Sequence, residues 1–446
     1  MSKPYISKRQ RLEEPSSHTS PRNAAERGTA SRRYVVQGDK KRRRSSGYIL
    51  GALGVLFVGC ACLLTYVSLT SPAFQRNAVE EVNEDELASA LPKESTVSFV
   101  AVGDNLPEIE IGNYGDALAG GIGDGLYDYR PIYEPIKPYI EAADLAYICF
   151  EIHAGGDEIQ PRGWPSFNTT DAMVDAIEGT GFNLIASATN HAYDWGLDAL
   201  AHSASLWEQR EVLFTGTASS QESAVAAKTI ESNGIVFSLL SYTYGINGYE
   251  EWEIPPYAVN YLHEERIIDD IAQARKQSDV VLVAVHWGTE NYTAADEQQL
   301  YFAQVIADAG ADVILGSHPH VIGPLEWVEG ALGNKTLVAY SLGNFVSHHD
   351  YPEPINELGG MLSCDFVKDD EGVRIENIQW TPLVNHSEDA VFAVYTLQDY
   401  TVELASRSRV LSALDDPLAW LKTRTVEIIG PLASIDDTRK YLTPNH

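Results

Sequence analysis

The stretch ADVILGSHPHVIGPLE, residues 311–326, places two histidines one residue apart at the end of a run that is typical of a buried strand. A lone histidine in a loop is more often an ordinary polar residue than a ligand. His318 and His320 stand out because comparable side chains close four other strand-like runs. These are Asp104 after SFVAV, Glu151 after YICF, Asn190 in the segment TNHAYDWG after NLIASA, and His286 after VVLVAV.

Side chains at these strand ends are expected to meet, because ligand sites in layered α/β folds collect at the carboxyl ends of the strands. A turn or a helix cap would explain any one of the residues, but turn chemistry does not explain five equivalent positions. Carboxylates, an amide and imidazoles without a thiolate suit a divalent ion such as Mn, Zn or Fe and do not choose among them. The predicted metal ligands are Asp104, Glu151, Asn190, His286, His318 and His320.

The elements that must position these residues alternate along the chain. Short apolar runs rich in β-branched residues predict strands over residues 96–102, 144–150, 183–188, 235–242, 279–285, 312–317, 336–342 and 360–367. Patterns of helical periodicity predict helices over residues 132–143, 170–179, 196–210, 264–277, 297–310 and 416–424. Strands that alternate with helices predict an α/β fold in layers, with the sheets covered on their outer faces.

Charge is divided unevenly along the chain. Residues 1–46 carry 13 Lys and Arg against 4 Asp and Glu, whereas the remaining residues carry 19 against 59. Residues 47–69 are 23 uncharged residues, which as a helix extend roughly 34 Å and can span a bilayer. A cleavable signal peptide is the competing interpretation, but the apolar core of such a peptide is shorter. The basic residues before the segment predict a cytoplasmic N-terminus.

This division predicts five zones. Residues 1–46 are expected to form a basic, disordered cytoplasmic tail, residues 47–69 a transmembrane helix and residues 70–94 an acidic linker. Residues 95–385 would form the main domain and residues 386–446 its C-terminal extension. Everything after the span would then be extracellular, in a single-pass protein of the cell membrane. The acidic exterior predicts no nucleic acid partner, because phosphate backbones are held by Lys and Arg.

The main domain contains two cysteines, Cys149 and Cys364, both in strand-like runs. Two buried free thiols are favoured over a disulfide between them. The sequence has no CxxC motif, so it predicts no thiolate metal site.

Several motifs resemble, in the right order, those of a bacterial family. They are NHAYDWG, SYTYGINGYE, VHWGTENYTAADEQQLYFAQVIADAGADVILGSHPHVIGPLE and YSLGNFVS. They resemble the CapA-type capsule (poly-γ-glutamate) synthesis proteins, whose domain is similar to a calcineurin-like metallophosphoesterase, and the likeness extends over residues 97–345. The resemblance implies a layered α-β-β-α sandwich of metallophosphoesterase type. It also implies polyglutamate or another anionic envelope polymer, and other membrane subunits of a capsule synthesis complex, as partners.

The same resemblance implies a place for each predicted ligand around one or two divalent ions. One ion would be held by Asp104, Glu151 and His320. Glu151 would bridge to a second ion, whose further ligands would be Asn190, His286 and His318.

The resemblance further implies a catalytic pair and shows two departures. His191 would face the reacting group, and Asp194 would fix the tautomer and orientation of His191. Leu106 stands where the usual Asp-x-His pattern has its histidine, and Glu151 stands where Asp is usual. The longer Glu side chain changes the spacing of roughly 3.5–4 Å that two-metal hydrolysis uses. The number of ions and the chemistry therefore stay open.

Other segments have both a functional and a structural interpretation. Adjacent histidines in the SHHD run, residues 347–350, either line the site or are solvated. The same alternatives hold for His153. Arg162 and Trp164 either contact the anionic group and the body of a substrate or belong to a structural loop. The aromatic loop of residues 241–250 either lines a pocket or supplies aromatic residues to the core.

Two functional classes follow. The first is a membrane-anchored, extracytoplasmic CapA-like protein of poly-γ-glutamate capsule biosynthesis and export that carries a metallophosphoesterase-like metal site. The alternative is a metal-dependent hydrolase of a phosphoester or amide bond in cell-envelope polymer, independent of capsule synthesis. Whether the chain is an enzyme stays open at this point.

Overall fold

The computed structural model describes residues 94–156, 158–224, 228–349 and 352–435. The predicted tail, the predicted transmembrane helix and all but the last residue of the predicted linker lie outside these ranges. Within the described ranges, no helix is long and apolar enough to cross a membrane.

The described residues contain fifteen strands and nine α-helices. The strands are β1 Ser95–Leu106, β2 Leu145–Phe150, β3 Leu184–Ala186, β4 Leu213–Thr215, β5 Lys228–Ser232, β6 Ile235–Thr243, β7 Val280–His286, β8 Val313–Ser317, β9 Leu325–Glu329, β10 Lys335–Ala339, β11 Asn344–Ser347, β12 Leu358–Asp369, β13 Gly372–Ser387, β14 Phe392–Thr396 and β15 Ser434–Ile435. The helices are α1 Ile109–Ala119, α2 Arg130–Tyr133, α3 Lys137–Glu141, α4 Asp171–Thr180, α5 Gly196–Glu208, α6 Glu264–Ala274, α7 Glu297–Ala309, α8 Val402–Arg407 and α9 Pro417–Ile429.

The strands form two mixed sheets. The first has the order β14-β13-β12-β1-β2-β3-β4, with β11 beside β1 and β15 beside β13. The second has the order β5-β6-β7-β8-β10-β9. Neighbours from β1 to β4 and from β6 to β8 run parallel. Parallel strands end at the same edge of their sheet. Asp104, near the end of β1, and the residues after β2 and β3 therefore lie at one edge of the first sheet, and His286, which ends β7, and the residues after β8 lie at one edge of the second.

The apolar core is divided into layers by the alternation of side chains along the strands. Val97 and Phe99 of β1 pack with Leu282 of β7 in a cluster that draws residues from both sheets. Val100 of β1 faces the other way and packs with the residues of α4. A third cluster joins the second sheet to α6 and α7. The predicted mixed α/β fold with covered sheets is confirmed.

The eight predicted strands and six predicted helices are present, with one helix divided. The predicted helix over residues 132–143 is two short helices, α2 and α3, because Pro135 interrupts the pattern and Pro138 occupies the first turn of α3. Seven strands and two helices were not predicted: β4, β5, β9, β11, β13, β14, β15, α1 and α8. The strands β4 and β11 have only three and four residues, which give little periodicity. The Cys149 and Cys364 thiols are buried and free, as predicted.

The close approach of β1 to the turn before β11 requires a glycine at the residue before Asp104. A Cβ atom on Gly103 would lie 1.8 Å from the carbonyl oxygen of Gly343. The Asp104 N–H donates to the same oxygen at 2.9 Å. The backbone contact therefore fixes the position from which the Asp104 side chain projects.

Replacing Gly103 by alanine is expected to lower the free energy of unfolding by about 1–3 kcal/mol, because the strands must separate to accommodate the methyl group. Urea denaturation of the full chain measures this change. Gly179→Ala is the matched control, since its Cβ would meet no atom within 4 Å at the end of α4. Equal stabilities of the two variants would contradict the close contact.

Candidate metal centre

The six predicted ligands lie together at the carboxyl ends of the parallel strands. His286, the last residue of β7, has its Nε2 atom 2.8 Å from Oδ1 of Asn190 and 3.6 Å from Oε1 of Glu151. His320 has its Nε2 atom 3.7 Å from the same Glu151 oxygen. One ligand atom each of Glu151, His318 and His320 lie within 4.8 Å of one another. Glu151 is therefore central to the cluster.

Several ligand atoms of this cluster are buried without a hydrogen-bond partner. Asp104 and Glu151 are both 0% exposed. Within the described residues, Oδ1 of Asp104, both carboxylate oxygens of Glu151 and Nδ1 of His318 make no hydrogen bond. Unpaired buried polar atoms are costly, and buried carboxylates most of all. A divalent cation would satisfy these atoms together, so the donors present fit a metal ion of this charge.

The buried charges also shift the acidity of the cluster. Burial raises the pKa of Glu151 well above its usual range, although His320 beside it acts in the opposite direction. Burial lowers the pKa of His318 to about 3, with the neighbouring His320 adding to the effect. Burial also lowers the pKa of His320, but the Glu151 and Asp104 carboxylates outweigh it and raise the value to about 10. Without metal, His320 thus carries the local positive charge.

The backbone of the His-Pro-His segment explains why the two histidines are separated by one residue. His318 and His320 both have left-handed backbone conformations, with φ of 94° and 59°. Such conformations cost about 1–3 kcal/mol each in residues other than glycine and cluster at functional sites. The His318 ring lies 4.8 Å from the His286 ring, whereas Nδ1 of His320 lies 3.3 Å from Oδ2 of Asp104. The two imidazoles therefore face different carboxylates of one cluster.

Cys149 is a neighbour of the centre that sequence reasoning left out. Its sulfur and one ligand atom each of Asp104 and His286 lie within 4.8 Å of one another. Burial raises the pKa of the thiol well above its usual range, and Asp104 and Glu151 act in the same direction. Cys149 precedes Glu151 by two residues and so projects to the same side of β2. That spacing was the available signal in the sequence.

His191 and Asp194 form a supported pair beside the ligands. Nδ1 of His191 lies 2.8 Å from Oδ2 of Asp194, which also accepts the Phe167 N–H at 2.8 Å. The Phe167 ring packs edge-on against the imidazole at 4.5 Å. The carboxylate fixes the hydrogen on Nδ1, which leaves the lone pair of the ring on Nε2. Nδ2 of Asn247 lies 3.4 Å from that atom.

The residues with two interpretations are distributed around this centre. The Leu106 side chain packs with Ile152 and Phe167 and supplies no ligand. His153 is buried beside Glu151, and burial lowers its pKa to about 4. The His349 ring lies 5.2 Å from the His320 ring, whereas His348 faces Glu110 at 3.3 Å.

Two loops border the centre. Arg162 and Asn168 exchange backbone hydrogen bonds and close the loop that carries exposed Trp164 and, next to the His191 pair, Phe167. In the aromatic loop, the Tyr244 ring lies 4.8 Å from the His318 ring. This loop lines a pocket of about 680 Å³ whose charged or titratable lining residues include Glu250, Glu251 and His263. Tyr244 and Tyr249 of this loop therefore line a pocket, whereas Tyr242 is buried in the core.

The chain is similar to proteins of one bacterial family. The sequence model of the family described as "Bacterial capsule synthesis protein PGA_cap" matches residues 98–349. The PGA biosynthesis protein CapA of Bacillus subtilis (strain 168) is 25% identical over 312 residues, which cover 69% of this chain and 74% of that protein. The capsule biosynthesis protein CapA of Bacillus anthracis is 25% identical over 181 residues, which cover 40% of this chain and 43% of that protein.

Two solved structures are similar at a lower level. A phosphatase from Mycoplasma pneumoniae has a TM-score of 0.40 at 12% identity, over 65% of this chain and 94% of that chain. The NAD nucleotidase of Haemophilus influenzae has the same TM-score and identity, over 78% of this chain and 58% of that chain. At this level of similarity neither structure adds to the description of the site.

Adding Mn²⁺, Zn²⁺ or Fe²⁺ to the metal-free full chain is expected to raise its melting temperature. A ligand that binds only the folded state at 100 times its Kd adds about 2.7 kcal/mol to the free energy of unfolding. His318→Ala/His320→Ala should lose the shift. His202→Ala should keep it, because His202 pairs with Asp171, away from the centre. Scanning calorimetry provides the measurement, and a wild-type chain that none of the three ions stabilises would exclude the centre.

Proposed function

The chain belongs to the PGA_cap family of bacterial capsule synthesis proteins, and on this premise we propose that it acts in poly-γ-glutamate capsule biosynthesis through a divalent-metal centre. The resemblance in the sequence motifs is confirmed by the family match over residues 98–349. Support for poly-γ-glutamate as the polymer comes from the Bacillus subtilis relative, which is a PGA biosynthesis protein.

The observation that carries the proposal is the set of unpartnered ligand atoms of Asp104, Glu151 and His318. The remainder of the chain after residue 46 has 59 acidic residues against 19 basic ones, so most of its surface repels an anionic polymer. A divalent ion would add a compact positive charge at one place. The metal centre would therefore hold the carboxylates of the polymer. Repulsion from the acidic surface elsewhere would keep the polymer from adhering to the rest of the protein.

A second candidate function, hydrolysis, is favoured by the pair of His191 and Asp194. A bound divalent ion would polarise the attacked group and supply hydroxide at neutral pH by lowering the pKa of water towards about 7. Asp194 holds the hydrogen of His191 on Nδ1, at 2.8 Å. Nε2 of His191 is then placed to move a proton to or from a leaving group. The bond would be an amide or a phosphoester of an envelope polymer.

One experiment separates the two candidates. Purified full chain, His318→Ala/His320→Ala and His191→Asn are each mixed with poly-γ-glutamate, and binding, release of γ-glutamyl fragments and phosphodiester hydrolysis are measured on the same samples. Metal-dependent binding that only the double histidine variant loses is expected for the capsule role. His191→Asn should bind poly-γ-glutamate as tightly as wild type does. The rate of any hydrolysis that depends on general acid catalysis should fall about 100-fold or more in this variant. Equal binding by all three proteins, with or without chelator, would contradict the metal-centred proposal.

We also propose that residues 47–69 anchor the chain in the cell membrane, with residues 1–46 cytoplasmic and the main domain outside. Support comes from the 23 uncharged residues and the basic residues before them. In this position the centre would meet the polymer beside the other membrane subunits of a capsule synthesis complex.

Alkaline phosphatase fused after His446 is expected to be active, since this reporter folds only outside the cytoplasm, whereas a fusion after residue 46 should be inactive. Enzyme activity in whole cells gives the readout. The opposite pattern would contradict the proposed topology.

A further inference from the structure

A buried asparagine stands between the metal centre and a second histidine. Asn344 begins β11, pairs with Asp104 across the parallel ladder and is 1% exposed. Its Oδ1 atom lies 3.1 Å from Nδ1 of His320. Its Nδ2 atom donates to the backbone carbonyl of Asn356 at 3.1 Å and lies 3.0 Å from Nε2 of His349.

The Asn356 carbonyl determines how the Asn344 amide is oriented. A carbonyl oxygen only accepts hydrogen bonds, so the group that faces it must be the NH₂ of Asn344. The Oδ1 atom of Asn344 then faces His320, and it too can only accept. Nδ1 of His320 must therefore carry a hydrogen, and in the neutral ring Nε2 is left with a lone pair directed towards Glu151.

The second hydrogen of the Asn344 amide orients His349 in the same way. Nε2 of His349 must accept this hydrogen, so Nδ1 of the neutral ring carries one. That atom lies 3.8 Å from a carboxylate oxygen of Glu108, which is itself buried. Asn344 thus has a partner for its oxygen and for each of its two hydrogens.

The same network returns to the His-Pro-His segment. The Asn356 side chain donates to Oδ1 of Asn291 at 2.7 Å. The Asn291 N–H donates to the carbonyl oxygen of Pro319 at 2.8 Å. A closed path of hydrogen bonds therefore runs from Pro319 through Asn291, Asn356 and Asn344 to His320. It holds the Pro319 carbonyl and the His320 ring, in a segment whose backbone is left-handed on either side of Pro319.

We propose that Asn344, held by Asn356 and His349, is a positioning residue that keeps a hydrogen of His320 on Nδ1 and orients the ring, so that Nε2 faces Glu151 and is the atom offered to a metal ion. The inference rests on the proposed metal centre and adds the residues that prepare one of its ligands. Outer partners of metal-ligating histidines typically contribute 10–100-fold in metal affinity, because they fix the tautomer and orientation of the ring.

The test compares metal affinities of the full chain and four variants by titration against a chromogenic chelator. Asn344→Leu removes the amide acceptor at Nδ1 of His320, leaves only Oδ2 of Asp104 near that atom, at 3.3 Å, and is expected to weaken binding by about 10–100-fold. His349→Ala is expected to weaken it by about 10-fold, at the low end of that range because it acts through Asn344. His349→Gln keeps an acceptor for the Asn344 amide and should restore wild-type affinity. His348→Ala is the matched control, since His348 faces Glu110 and Phe392 instead.

A spectroscopic readout separates positioning from loss of structure. Cobalt-loaded wild type and cobalt-loaded His349→Gln should have the same visible absorption spectrum, and cobalt-loaded His349→Ala should have a different one. Without metal, His349→Ala should melt at the same temperature as His348→Ala. Wild-type affinity in both Asn344→Leu and His349→Ala would overturn the positioning role alone. Failure of the wild-type chain to bind any divalent metal would overturn the proposed centre together with it.

Discussion

The buried carboxylates of Asp104 and Glu151 impose the constraint on which the rest of this structure depends. Both are fully buried at strand ends, and three of their four oxygens have no hydrogen-bond partner among the described residues. Burial of uncompensated negative charge is tolerated only where a positive charge lies close by. In the metal-free protein His320 supplies this positive charge, since Glu151 and Asp104 raise the pKa of this histidine to about 10 despite its burial. A divalent ion in the same place would satisfy more of the ligand atoms at once.

The fold meets this constraint by bringing parallel strands of two sheets to a common edge. Glycines permit neighbouring backbone segments to approach closely. A Cβ on Gly103 would lie 1.8 Å from the carbonyl oxygen of Gly343, and a Cβ on Gly316 would lie 2.0 Å from the carbonyl oxygen of Tyr340. The left-handed residues His318 and His320 add local strain, which is repaid by hydrogen bonds at Pro319 and at the His320 ring. Stability and site geometry are therefore coupled through the same few backbone contacts.

Much of this site could be predicted from sequence because its residues follow strands that are apolar and β-branched. Asp104, Glu151 and His286 close such runs, and the rule that sites collect at strand ends was enough to group them. Cys149 was missed because a cysteine inside a strand looks like core. The site-lining interpretation of the SHHD histidines included His349. The support from Asn344 and Asn356 could not be predicted, since β11 has only four residues and its pairing with β1 is a long-range contact. The division of the helix over residues 132–143 was foreseeable from its prolines.

The central claim, that these strand ends hold a divalent ion through imidazole and carboxylate, is tested most directly by X-ray absorption of the zinc-loaded full chain. The account predicts a first shell of nitrogen and oxygen at about 2.0–2.2 Å with the outer scattering of at least two imidazoles. His318→Ala/His320→Ala should reduce that outer scattering. A first shell containing sulfur at about 2.3 Å would place Cys149 among the ligands, and a spectrum without imidazole would contradict the account.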